Sequence, residues 1–477
     1  MSIFNNRDEI LSHGNVVGRR VVLDILETGL QAGDPYDNVT KAVRIEGNTL
    51  YVGTDEFPPG PLGALPADGP RPAYPTTLEF NLDRVGRILV TGGGKAAQRM
   101  AEALEHILGD RIAAGHLNAK KGDRVALERI EVTLAGHPEP DEDSVRGAQQ
   151  IVDLMHTARE GDIIFECESG GGTALITLPA PGLTLADIRE LNRVMYLEHG
   201  ASIEAANAVR TMLTTLRLKH SRHAGAATLI QICTAERATD ALALRPKERH
   251  ALNEYDYAIH LLKDVYCCWD EIPEAVRQHL LRRDPAYGHL RPDEWVNKPH
   301  YRVRVMGPEY MVNAAEARAR ALGLDAGVLA VSLSNLDSAL VGDSMGQIAH
   351  EIERRDRPVS KPGVLLMGGE TVVAAGPEAG QGGRNSEFVV SAARRIAGSP
   401  RIVIASADSD GADGPTQYNG GIADGLTVER ALAADLDLEQ ELRNHNTTSV
   451  LCRLGDAFET GILHTNVQDL RVVYVGK

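Results

Sequence analysis

Short β-branched runs that end in glycines dominate this chain. Arg87–Thr91 (RILVT) runs into Gly92-Gly93-Gly94-Lys95 and a helical pattern, and Asp162–Glu166 (DIIFE) runs into Ser169-Gly170-Gly171-Gly172-Thr173. Arg401–Ala405 (RIVIA) runs into an aspartate- and glycine-rich turn, SADSDGADG. A strand that stops at a tight turn and hands over to an amphipathic helix is half of a βαβ unit. The expectation is therefore an α/β protein with a mostly parallel sheet.

Further candidate strands are Arg129–Leu134, Thr228–Cys233, Tyr301–Val305, Val364–Met367, Thr371–Ala375 and Leu470–Val475. Helical patterns cover Ala96–Leu108, Ser144–Thr157, Ile203–Leu218, Asn313–Leu322, Asp343–Arg354 and Glu387–Ile396. In Ile203–Leu218, residues Ile203, Ala206, Val209, Leu213 and Leu216 form an apolar stripe, while Asn207, Arg210, Thr214 and Arg217 point the other way. At ~100–200 residues per domain, 477 residues imply two or three compact units. Two proline-rich breaks divide the pattern. Phe57–Pro75 is expected to be a long surface loop, and Arg283–Tyr301 marks the domain boundary. The expected division is a Rossmann-like domain over 1–297 and a smaller α/β domain over 298–477, with the last strand free to pack back on the first domain.

A formal net charge of −16, with no dense Lys/Arg block, excludes nucleic acid and anionic lipid as partners. The first twenty residues lack an apolar core of signal-peptide length, and no uncharged apolar run approaches the ~20 residues that span a bilayer. A cytoplasmic protein is expected. Five cysteines, two of them adjacent and none spaced Cys-x-x-Cys, suit neither a disulfide framework nor a zinc site.

The glycine loops carry the candidate chemistry. Glycines at a strand-to-helix turn let backbone N–H groups approach an anion, and the helix N-terminus adds partial positive charge. Lys95 would add a full charge there. The loop lacks Walker A spacing, and Ala97 stands where a dinucleotide fingerprint has its third glycine. Taken alone, the segment equally suits a tight turn with an exposed lysine. The device recurs at Ser169–Thr173, and again where Gly380, Gly382 and Gly383 precede Arg384-Asn385. Asp408, Asp410 and Asp413 face these donors with carboxylates, which suggests a phosphate clamp with a Mg²⁺ site or a general base. An ordinary Asp/Gly turn is the alternative, and an EF-hand is excluded because Asp413 occupies the obligatory glycine position. The pair His220/His223 has helical spacing without a nearby third ligand and reads as a solvated helix end. His137 borders a turn, and spacing gives it no role.

With these loops assembled, the chain resembles the glycerate 2-kinase family, the class with a C-terminal MOFRL domain, from about Arg20 to its end. The segments that carry the likeness are LDILETGLQAGDPY, Gly-Gly-Lys-Ala-Ala, GHPEPDEDS, SGGGTALI, GASIEAANAVR, GGETVV, GQGGRNSEF, SDGADGPTQYNGG and TNVQDL. The resemblance implies ATP-dependent phosphorylation of the 2-hydroxyl of D-glycerate in an interdomain cleft, with Mg²⁺. It places Lys95 and Arg384 on catalytic and phosphate-binding positions and Asp410 or Asp413 on the acidic, metal-binding loop. It assigns substrate or nucleotide contacts to Gly92, Gly93, Gly94, Ser169, Gly170, Gly171, Gly172, Thr173, Asn207, Arg210, Glu370, Gly382, Gly383 and Asn385. Partners beyond ATP and a small hydroxy acid are not implied.

The chain departs from the family pattern in three loops. After Cys233 the usual Ser-Asp-Val-x-Gly-Asp turn is replaced by Thr234-Ala235-Glu236-Arg237-Ala238-Thr239-Asp240, leaving Glu236 or Asp240 as substitutes. His220-Ser221 stands where the family prefers a Gly pair, and Thr460–Asn466 replaces a Gly-Pro-Thr pattern. Three alternatives follow: a kinase of another small hydroxy acid, an NAD(P)H-dependent hydroxypyruvate reductase, or a binding relative without catalysis. The incomplete dinucleotide fingerprint argues against the reductase, and no acidic residue ends the next strand.

Overall fold

The computed structural model describes residues 2–62, 73–234, 253–376 and 378–477. The chain forms two compact units, one of Pro35–Val305 and the other of Met1–Asp34 with Met306–Lys477.

The Pro35–Val305 unit contains β1 (Val43–Glu46), β2 (Thr49–Val52), β3 (Pro59–Pro61), β4 (Leu78–Asn81), β5 (Ile88–Gly93), β6 (Ile112–Lys120), β7 (Glu131–Ala135), β8 (Ile163–Glu168), β9 (Thr228–Thr234) and β10 (His300–Met306). β1, β2 and β4 form a small antiparallel sheet. The main sheet has the order β3-β10-β9-β8-β5-β6-β7, and its five strands from β9 to β7 are all parallel. From β5 the chain moves outward through β6 and β7, then returns to β5's other side with β8 and continues to β9. The boundary between β5 and β8 is thus where the strand order reverses, the place where open α/β sheets bind ligands. β5 and β8 are buried along their whole length, as parallel strands covered on both faces must be.

The second unit holds β11 (Asp325–Ala330), β12 (Gly363–Gly369), β13 (Ile402–Asp408), β14 (Gly421–Asp424) and β15 (Asp469–Val475). Their order is β11-β12-β15-β13-β14, parallel only between β11 and β12. The chain's last strand sits at the centre of this sheet, where every one of its residues is buried. The helix Val16–Ala32 packs on β13 and β15. It buries Val22, Leu23, Ile25, Leu26 and Leu30. Gly18 and Gly29 permit that approach, since a Cβ there would stand 2.6 Å from Val403 Cγ2 and 2.4 Å from Leu470 Cδ2.

Several expectations are revised. The division after 297 falls instead at Val305/Met306, and the first 34 residues belong with the C-terminal unit. The last strand, expected to be able to pack back on the first domain, pairs with β12 and β13. Tyr301–Val305 lies in β10 and completes the first sheet, so the proline-rich break before it precedes a strand of the same unit. Within Phe57–Pro75, β3 pairs antiparallel with β10 at the sheet edge, a position where proline's missing N–H is tolerated. Residues 63–72 of that stretch lie outside the described residues, as do Glu236 and Asp240. Thr371–Ala375 makes only a single bridge, Asp337 to Val372, and Val372 is exposed. The helix expected to Leu218 ends at Thr211. Thr214 instead bridges to Pro179, and the Lys219 ammonium donates to the carbonyls of Thr211 and Thr214.

Candidate active site

In the Pro35–Val305 unit, two glycine loops meet at the β5/β8 boundary. The β5–β8 register sets Gly92 beside Cys167 and Gly93 beside Glu168, so both loops leave the sheet together. Gly92 and Gly94 have φ of 144°, a region that β-carbons disfavour. A Cβ on Gly94 would stand 2.2 Å from Ser169 Oγ, and one on Gly92 would stand 2.0 Å from the Cys167 carbonyl oxygen. The Lys95 N–H donates to the Gly170 carbonyl at 2.9 Å, and the Ala96 N–H to Ser169 Oγ at 2.9 Å. The helix Ala97–Leu108 begins directly after this turn.

Gly171 has φ of 86° and precedes the short helix Gly172–Leu175. A Cβ at Gly171 would lie 3.1 Å from His137 Nε2 and 3.3 Å from Lys95 Cγ, so Lys95, His137 and the second loop border one space. Thr173 accepts from Arg217 Nε at 3.3 Å, and Arg217 also pairs with Glu168. The helix Ile203–Thr211, which carries Asn207 and Arg210, packs against Gly172–Leu175. Arg210 is buried and donates to the Tyr196 hydroxyl at 3.3 Å. Behind the loops, Asn118 donates to the carbonyls of Ser144 and Leu175, tying the second loop's helix to the sheet. The arrangement is a narrow, glycine-floored turn at a helix N-terminus with one lysine beside it, a cradle suited to an anion.

The other unit gathers the second set of predicted residues at the ends of β12, β13 and β15. Arg384 opens the helix Arg384–Arg395. Its Nε lies 3.0 Å from both Asp469 carboxylate oxygens, Nη2 pairs with Asp408, and Nη1 lies 3.4 Å from Glu370. Burial opposes the charge, but Asp408, Asp469 and Glu370 outweigh it and hold the guanidinium pKa well above its ordinary value. Burial likewise pushes the Asp408 and Asp413 carboxyls upward. Asn385 donates to Asp469 at 3.0 Å, and Arg471 holds the second oxygen of Asp469 at 2.6 Å.

The two predicted aspartates separate in role. Asp413 is wholly buried and accepts the backbone N–H groups of Asn385 (2.9 Å) and Ser386 (2.8 Å), one on each oxygen. It caps the helix that presents Arg384, and that engagement leaves little of the carboxylate for a cation. Asp410 is only partly buried and accepts from the Ala412 N–H at 3.0 Å. Gly383 is pressed against Asp413, where a Cβ would come within 2.3 Å of the carboxylate carbon. Beside Arg384 a cavity of about 340 Å³ is lined by Thr371, Gly382, Gly383, Glu387 and His445 among others. Glu387 and His445 Nδ1 lie 2.5 Å apart, a contact without a signature in local sequence because 58 residues separate the pair.

Sequence reasoning passed over Asp469, Arg471, Glu387 and His445, whose meeting depends on β15 and a distant loop. It also passed over Glu166 and Glu168. Two acidic residues at i and i+2 inside a buried strand were the available signal, since both must face the same side of the sheet.

A family model described as "Domain of unknown function (DUF4147)" matches residues 21–281, and the MOFRL family model matches residues 363–469. The chain is 32% identical to the glycerate 2-kinase of Pyrococcus horikoshii, over 95% of this chain and 98% of that protein. It is 33% identical to the D-glycerate 2-kinase of Thermotoga maritima, over 83% and 91%. The crystal structure of the Thermotoga maritima glycerate kinase matches with a TM-score of 0.75 at 27% identity, covering 96% of this chain and 99% of that one.

Proposed function

Because the chain belongs to the glycerate 2-kinase family of phosphotransferases, we propose that it transfers the terminal phosphoryl group of ATP to the 2-hydroxyl of D-glycerate, forming 2-phosphoglycerate. The observation that carries this reading is the paired glycine turn at the β5/β8 boundary. No side chain heavier than hydrogen fits at Gly92 or Gly94, because Cys167 and Ser169 of the second strand end pack directly against them, which draws the two loops together with Lys95 beside them. That shape suits a phosphate, and the residues to hold one are Gly92–Lys95 and Ser169–Thr173.

Phosphoryl transfer asks for positioning and charge neutralisation more than covalent chemistry. Lys95 offsets the negative charge on the transferring group. Arg384 supplies the positive charge for a carboxylate or phosphate, with Nε and Nη2 fixed by Asp408 and Asp469 and Nη1, 3.4 Å from Glu370, its most loosely held nitrogen. Asn207, Arg210, Glu370, Gly382, Gly383 and Asn385 are assigned supporting contacts. Asp410 is the carboxylate assigned to Mg²⁺, which neutralises phosphate charge when it accompanies the nucleotide. Asp413 instead fixes the helix that carries Arg384.

The test is coupled ADP detection with Mg²⁺·ATP across D-glycerate and three- to five-carbon hydroxy acids, with the product's phosphate position read by NMR. D-glycerate is expected to turn over fastest, with phosphate on the 2-oxygen. Lys95→Ala should lower kcat at least about 100-fold, the scale of removing one preorganised charge partner of a transition state. A Lys95→Ala variant within a few-fold of wild type would remove Lys95 from the mechanism. NADH oxidation with hydroxypyruvate in place of ADP release would replace the kinase reading by the reductase.

A further inference from the structure

Glu166, Glu168 and His220 converge beneath the Ser169–Thr173 loop, each offering a ligand atom within 4.8 Å of the others. Glu166 and Glu168 share one face of β8, and His220 comes from the turn before β9. All three are buried, at 0%, 6% and 2% exposure. Their satisfaction is incomplete. The Gln231 amide donates to Glu166 Oε2 at 3.2 Å and Glu168 Oε2 at 2.7 Å, while Gln231 Oε1 is taken by Arg302 at 2.6 Å. Glu168 Oε1 also meets Arg217. His220 Nδ1 stands 2.8 Å from Glu166 Oε1 but outside hydrogen-bond geometry, and neither ring nitrogen has a hydrogen-bond partner. Glu166 Oε1 has none either.

A carboxylate at zero exposure whose one hydrogen bond comes from a neutral amide is costly, and an imidazole 2.8 Å away without hydrogen-bond geometry offsets that cost only when it is protonated. A divalent cation between them would satisfy Glu166 Oε1 and one of the two imidazole nitrogens. We propose that Glu166, Glu168 and His220 bind a divalent transition-metal ion of the Zn²⁺ or Mn²⁺ class. Two carboxylate oxygens and one imidazole nitrogen are the donor set of three-ligand sites that keep a further position open, and an imidazole ligand selects against Mg²⁺ and Ca²⁺. A carboxylate offers about four lone-pair directions, so Glu168 can face Arg217 and the ion together. Arg217 then links the site to Thr173 of the glycine loop. The ion is a resident of the strand end, separate from any Mg²⁺ that travels with a nucleotide.

The test uses the full chain stripped with EDTA and titrated with Zn²⁺, Mn²⁺ or Co²⁺ by calorimetry, without ATP or hydroxy acid, so its result is independent of the kinase reading. One ion per chain is expected, with visible Co²⁺ absorption of a low-coordinate site. Glu166→Gln and His220→Ala should each weaken binding about 100-fold or more while the metal-free far-UV spectrum is retained. His220→Cys should keep the ion and add a thiolate-to-Co²⁺ charge-transfer band, which guards against variants that merely misfold. Absence of saturable binding, or binding that the substitutions leave untouched, would reduce the cluster to a buried ion pair and overturn the proposal.

Discussion

Single residues here act through what they cannot avoid touching. Lys219 is fully buried, and its ammonium donates to the carbonyls of Thr211 and Thr214. Burial, followed by Arg222, pushes its pKa down to about 7 from 10.5. The folded protein therefore holds fewer protons than the unfolded chain between about pH 7 and 10.5. Stability contributed by this group rises with pH across that window and is flat below it. Unfolding free energies from urea titrations at pH 7 to 9 should rise by at most about 1.4 kcal/mol per pH unit, and Lys219→Met should remove that slope. At the same scale the sequence singled out Lys95 only because its glycine turn recurs at other strand ends, since alone the segment equally suits a tight turn with an exposed lysine. It was silent about Lys219, whose burial is decided by the early end of the preceding helix.

At the scale of elements, the loops that present functional groups depend on caps supplied from elsewhere in the chain. The helix Arg384–Arg395 is preceded by Gly383, which has no side chain to cap it, and Asp413 accepts from two of its first N–H groups from a loop 28 residues beyond Asn385. Asp413→Ala should lower the stability of this unit by about 1–2 kcal/mol, read from its thermal transition. Activity should fall with it because Arg384 loses its anchor. A variant with intact stability and no turnover would return Asp413 to the reacting groups. The aspartate-rich turn was legible as a turn and as a candidate carboxylate site, since Asp and Gly concentrate there. Which aspartate points outward was not, because the three stand within six residues and what turns Asp413 inward is its docking on the Asn385 and Ser386 N–H groups, far along the chain.

Across the whole chain, the N-terminal segment belongs to the unit built mainly from the C-terminal third. Arg19, in the first long helix, is buried against Asp424 at 2.6 Å and Asp456 at 2.7 Å. Burial works against the Asp456 carboxylate, but His13, Arg19 and Arg430 hold its pKa below the ordinary value. Stability from this pairing is present above the ordinary carboxylate range and is lost as pH falls through the lowered pKa. Arg19→Ala leaves the buried Asp424 carboxylate without its cation and takes one of three basic partners from Asp456, and should cost about 3–5 kcal/mol. Calorimetry should show it as a lower transition for the Met1–Asp34/Met306–Lys477 unit and as acid unfolding that begins at higher pH. The sequence by itself determined the α/β class, most strands and helices, and the glycine turns at the strand ends, because periodicity, turn chemistry and helix starts are local properties of the chain. Only the tertiary structure decided which strands neighbour one another, that β15 is central, where the first 34 residues dock, and that Glu166, Glu168 and His220 share one point. Those facts are set by packing between segments far apart in sequence, and no local pattern encodes a distant partner.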